Sequence, residues 1–139
     1  MKRTALARKT PLKAKKPMAR KPIKRKSSRK QSTDKRWRSE QYLAFVKSQP
    51  CCNCQGPGLD PHHVIGLHWG LSGQGLTAPD SFAMSLCRAC HDAVHRSPEL
   101  QQMQPAWLRT TLRAGLNQFT GADAEALLHA LAFLEAQEQ

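Results

Sequence analysis

The sequence predicts an α+β fold: a small body of helices and short strands stapled by a four-cysteine zinc site, behind a disordered basic arm. Three observations predict it. Charge is segregated, with seventeen Lys and Arg against one acid in residues 1–38 (net +16), and five bases against nine acids in the remainder (net −4). The five cysteines fall in two groups, Cys51, Cys52 and Cys54, then Cys87 and Cys90. Between and around them the apolar pattern changes from helical to alternating and back.

The arm, residues 1–33, repeats short Pro/Lys segments around Pro11, Pro17 and Pro22 and holds almost no large apolar side chains. Such a segment cannot bury enough surface to offset its chain entropy, so it is expected to be disordered. Its cations suit a polyanion, and nucleic acid is the commonest one. The nucleic-acid contacts expected here are Lys13, Lys15, Lys16, Arg20, Lys21, Lys24, Arg25, Lys26, Arg29 and Lys30. The first basic residues are not followed by an apolar segment of the secretory kind, nor does any stretch approach a membrane span. The expectation is a soluble, cytoplasmic protein with no membrane partner.

The body starts near Asp34. Trp37, Tyr42, Phe45 and Val46 share one side of a helix that Asp34 or Ser39 can cap and Pro50 stops. His62 to Ile65 is a strand candidate. Residues 66–79 contain four glycines and a proline without a period, which predicts a long loop. Phe82, Met84 and Leu86 alternate as a second strand, and Cys87 to His95 reads as a turn into a short helix ended by Ser97-Pro98. Pro105 to Leu116 predicts a helix with proline in its first turn, ending at Gly115. A last helix runs from Gly121 to about Ala136, started by Thr120 and Asp123, with Ala124, Leu127, Leu128, Leu131 and Leu134 as its apolar stripe.

Cys51-x-x-Cys54 and Cys87-x-x-Cys90 are two knuckles, together enough for one tetrahedral zinc. Four thiolates close the coordination sphere, so this zinc is structural and contributes to folding. Cys52 can substitute for Cys51 only in a less usual C-x-C knuckle; it is expected to pack or be exposed. His91 and His95, four apart, share a helix face and can bind one metal. His62 and His63 are neighbours on a strand, so they point to opposite faces. One can join a metal while the other activates water, an arrangement suited to hydrolysis of a phosphate ester.

The segment "PHHVI…LCRACHDAVH" resembles the HNH, or ββα-metal, nuclease family, including small phage and prophage members of the Ref recombination-enhancement type. The likeness covers about residues 37–97; the basic leader is similar in character only. It implies a small ββα-metal core at residues 34–97, with residues 98–139 as a helical extension packed on it. By position it implies His63 as general base and His62, His91 and His95 as ligands of a catalytic divalent ion, Mg2+ or another. The family's bracing Asn is missing, and Asp80 stands nearest its place. Arg88 and Arg96 flank the site and can hold phosphates or be ordinary surface charge, while His68 can reach metal or DNA or simply sit on an exposed loop.

The resemblance thus implies a metal-dependent endonuclease acting on double- or single-stranded DNA with little sequence specificity. A recombinase filament is the partner it suggests. A non-catalytic, zinc-stabilised nucleic-acid-binding module is the alternative; the arm and the thiol quartet fit it equally, whereas the adjacent histidines do not.

Overall fold

A computed structural model describes residues 36–138, all within one compact unit. The expectations for the basic arm, and its Lys and Arg contacts, lie outside the described residues. The architecture is mixed α+β. Helix α1 (Glu40–Ser48) precedes strand β1 (Asp60–His63), a 3-10 turn at Asp80–Phe82 and strand β2 (Ala83–Leu86). Helices α2 (Arg88–Val94), α3 (Pro98–Gln101), α4 (Gln104–Leu116) and α5 (Gly121–Gln137) follow. No described helix is long and apolar enough to cross a membrane.

Ser39 caps α1, its hydroxyl accepting the Tyr42 N–H at 3.2 Å. The helix therefore starts later than Asp34, and residues 36–39 run extended instead. Two arginines on that extended stretch tie down the glycine-rich loop: Arg36 donates to the carbonyls of Leu71 and Thr77, and Arg38 to those of Thr77 and Ala78.

β1 and β2 form an antiparallel pair in which Asp60 faces Leu86, His62 faces Met84 and His63 faces Ala83. The first strand lies two residues earlier than the His62 to Ile65 segment expected for it. Pairing is set from the knuckle side, where Pro50 bridges Pro57 and Leu59 N–H binds Leu86 O. Gly58 makes this approach possible: a β-carbon there would lie 1.8 Å from Ser85 Oγ and 2.5 Å from Gln49 O. All four residues of β2 are buried, because α1 and α4 both pack against that strand.

α4 and α5 pack on each other and, with α1, enclose a core around Tyr42, Val46, Met84, Leu108, Leu112, Leu127 and Leu134. Burying this apolar surface is the main favourable term in the fold. Gly115 stands one residue before the end of α4 at Leu116, close to where the sequence puts that end. It lies within the last turn, where a β-carbon would come 3.0 Å from Leu127 Cδ1 and 3.1 Å from the Tyr42 ring. Its lack of a side chain lets three helices approach. The inward stripe of α5 is Leu127, Ala130 and Leu134, at i, i+3 and i+7. Leu128 points outward, half exposed, because it lies one residue off that stripe. Thr120 precedes α5 without a side-chain cap bond. Ser97-Pro98 does not merely end α2; Ser97 caps α3 by accepting the Leu100 N–H.

Two candidate metal centres joined by one helix

The first centre is built by the two knuckles. The Cys51 N–H binds Gly56 O at 2.8 Å and the Gln55 N–H binds Cys51 O at 2.9 Å, closing a tight turn in which Gln55 adopts φ 61°. The second knuckle is the start of α2, where Cys87 is the N-cap and its sulfur accepts the Cys90 N–H. The sulfurs of Cys51, Cys54, Cys87 and Cys90 all lie within 4.8 Å of one another. Those of Cys54 and Cys87 are 3.8 Å apart. A tetrahedron with metal–sulfur bonds of about 2.3 Å has edges of about 3.8 Å. The spacing thus fits a zinc-sized ion.

The electrostatics point the same way. Burial opposes ionisation of Cys51, but the N–H groups of Cys54, Cys87 and Asn53 and the Cys54 thiol outweigh it and bring it down to about 6. The Asn53 amide favours a thiolate at Cys90, yet burial and the neighbouring thiols push it up to about 12. Crowded thiols cannot all ionise without a cation between them. Cys52 is not in this group. It is half-buried, and its sulfur sits 3.7 Å from Thr111 Oγ1 on α4.

The second centre takes His62 from β1 and His91 and His95 from α2. One ring nitrogen of each lies within 4.8 Å of the others, and burial grades from His62, through half-buried His91, to exposed His95. Burial holds His62 down to about 4, against the Gln104 hydrogen bond and helped by His91, His95 and His63. His62 is therefore neutral near pH 7, with a lone pair available for a metal. Nδ1 of His91 is buried without a hydrogen-bond partner among the described residues; the Asp92 carboxylate is 3.8 Å away. A buried, unpaired ring nitrogen needs an explanation, and a bound cation is one.

Gln104 was missed by sequence reasoning. Its side chain is fully buried at the start of α4 and reaches back to the strand. Its Oε1 lies 3.2 Å from His62 Nε2 and 3.1 Å from Ile65 N. Its Nε2 donates to Ile65 O at 2.8 Å and Gln101 O at 2.9 Å. No local pattern marks such a residue, because the strand-side groups it holds, the Ile65 backbone and the His62 ring, lie 39 and 42 positions away.

His63 turns to the other face of β1 and binds Asp80 Oδ1 through Nε2 at 2.9 Å. Asp80 is buried and also accepts from Arg38 Nη1 at 2.8 Å and from Ser39 N at 2.9 Å. Burial disfavours its charge, but His63, Arg38 and Ser39 outweigh that and hold the carboxyl below its ordinary range. Arg88 lies at the start of α2, mostly exposed, and pairs with Asp60 at 3.2 Å. Arg96 donates to the Asp92 carbonyl. His68 is exposed with φ 56°, and with His95 it lines a cavity of about 450 Å³ walled by Leu67, Trp69, Leu71 and Leu76.

The chain belongs to a protein family of unknown function, DUF968, whose profile matches residues 18–104. That segment contains every ligand of both centres and ends at Gln104. A relative, the uncharacterized protein YdfU of Escherichia coli (strain K12), is 46% identical over 61 residues. The match covers 44% of this chain and 17% of YdfU. No solved structure matches the chain.

Proposed function

We propose that this protein is a metal-dependent endonuclease of the HNH, or ββα-metal, type that hydrolyses DNA phosphodiester bonds. One observation carries the reading. His62, His91 and His95 converge within metal-binding distance, while adjacent His63 is held on the opposite face by a buried carboxylate. The order β1, β2, α2, with His62 and His63 on the first strand and His91 and His95 at the helix end, supports it. A structural module has no use for a spare histidine fixed beside a three-histidine cluster.

A divalent ion on the three imidazoles would polarise a phosphate oxygen and stabilise the leaving oxygen. The resemblance implies Mg2+ or another divalent ion. Imidazole donors rank first-row transition ions above it, so Mn2+ or Zn2+ belongs in any assay. The protein's own groups do the rest. Asp80, acting as the ionised partner, accepts a hydrogen bond from the Nε2–H of His63, which leaves Nδ1 to accept the proton of the attacking water. The thiol quartet, filled by zinc, holds the strand pair against α2 and takes no part in chemistry. Residues 1–33 supply sequence-independent affinity that falls steeply with salt. No base-reading element marks the sequence, so targeting falls to DNA structure or to a partner, and by resemblance that partner is a recombinase filament. We place the protein in the cytoplasm of a bacterial host and associate it with phage or prophage recombination on the same resemblance.

The test is nicking of supercoiled and single-stranded DNA with Mg2+, Mn2+, Zn2+ or EDTA, with and without a recombinase filament. The wild type is expected to nick in a metal-dependent way, and His63→Ala to lose about 10²–10⁴-fold of the rate. DNA binding with no cleavage under any of these conditions would sink the nuclease reading and leave a zinc-stabilised binding module. A His63→Ala variant that cuts like the wild type would remove His63 from the base role.

A further inference from the structure

We propose that Gln104 is a positioning residue of the imidazole centre, selecting the His62 tautomer that presents Nδ1 to the metal. The inference rests on the metal-binding reading of His62, His91 and His95, and it names the ligand atom and the residue that sets it.

The Gln104 carboxamide has four neighbours: the carbonyls of Ile65 and Gln101, the N–H of Ile65, and His62 Nε2. Two carbonyls can only accept, so the NH2 end must face them. A flipped amide would set Oε1 against two carbonyl oxygens and NH2 against the Ile65 N–H, giving three repulsive contacts in a fully buried place. The orientation is thereby fixed, with Oε1 toward His62. An amide oxygen only accepts, so His62 Nε2 must carry the hydrogen. A neutral imidazole protonated on Nε2 has its free lone pair on Nδ1. Nδ1 is then the atom His62 offers to the cluster.

The support behind Gln104 is itself built in. Gln101, whose carbonyl accepts from Gln104, donates its own side-chain amide to Val94 O at the end of α2. It lies so close to the loop that a β-carbon on Gly66, at φ +70°, would come 2.1 Å from its Oε1. The turn from α3 into α4, outside the strand–strand–helix segment, therefore closes the centre from behind. A ring hydrogen donated to a protein acceptor is a recurring way to orient a metal-binding histidine.

The test uses the full-length protein with zinc on the thiols and no ion on the imidazoles, ¹⁵N-labelled on histidine. Long-range ¹H–¹⁵N spectra read each His62 nitrogen. The expected state is Nε2 protonated and Nδ1 bare, with Nδ1 shifting when further Zn2+ is added. Protonated Nδ1, or a zinc-induced shift on Nε2, would overturn the proposal. In parallel, Gln104→Met should weaken binding of this added zinc by about ten- to hundred-fold while the thiol site stays filled. Unchanged affinity in a folded variant would also overturn it. If Gln104→Met does not fold, the wild-type spectra decide alone. The two readings fail separately: coordination through Nδ1 without DNA cleavage leaves Gln104 in place and removes the nuclease. Cleavage with coordination through Nε2 does the reverse.

Discussion

The two centres draw on the same helix, yet they are built to different rules. The thiol quartet offers four candidate ligands of one kind, two of them at least partly exposed, held by local turns. The imidazole trio uses three ligands graded from buried to exposed, held from behind by a side chain 42 residues away. Four thiolates would complete a tetrahedron and leave nothing for a substrate; three imidazoles on an ion would leave at least one position for another group. A closed centre needs only short-range geometry, so a knuckle can specify it. An open one must hold its ligands against the pull of an incoming group, and that takes support from distant parts of the fold.

If this contrast is right, the largest effect belongs to the thiols. Cys90→Ser, or removal of zinc by a strong chelator, should abolish the cooperative thermal unfolding transition. In small structural-zinc domains metal binding supplies about 10 kcal/mol or more of apparent free energy. A sharp transition at the wild-type temperature in the chelated protein would break the comparison at its root. His95→Ala should do the opposite: it should lose the second metal, measured by calorimetric titration, and keep the transition, because its side chain is exposed. Gly58→Ala comes next. The new methyl group meets Ser85 Oγ and the Gln49 carbonyl, and about 1–3 kcal/mol should be lost in urea unfolding. Ser85→Ala in the same chain should recover only part of it, since the Gln49 contact remains.

A smaller, pH-dependent effect is expected at Asp80. Its carboxyl is held below the ordinary range, so its stabilisation is in place above that range and is lost as pH falls through the lowered value. The stability gap between wild type and Asp80→Asn should therefore close in acid, and a gap that widens there would reverse the assignment of Asp80 as the ionised partner. The least effect belongs to Arg88→Ala. Its exposed pair with Asp60 is worth about 0–1 kcal/mol, so a larger loss of stability would mean that it does more than decorate the surface.

The two clusters of candidate ligands were legible because their spacing is local. C-x-x-C and H-x-x-x-H are set by one turn of chain, and the opposed directions of His62 and His63 follow from strand parity. Asp80 could be reached only by counting back from His91 to the place of a missing Asn; its contact with His63 leaves no local mark. Gln104 was illegible, as were Gly58 and Gly115, whose meaning lies in what a β-carbon would strike across the fold. The first strand lies two residues earlier than His62 to Ile65 because the residues around His62 do not encode the knuckle that sets the register. Leu128 was assigned inward because a 17-residue helix rich in Ala and Leu offers several stripes, and only packing against α4 chooses one.

One peptide bond separates Cys90 from His91. Helix α2 is seven residues long and begins and ends among ligands, so it has no slack between the two centres. It behaves as a short lever with sulfur at one end and nitrogen at the other. An ion of the wrong radius among the thiols would tilt that lever and carry His91 and His95 out of line with His62. On the proposed reading, the fit of the ion among the thiols would set the tolerance of the imidazole centre.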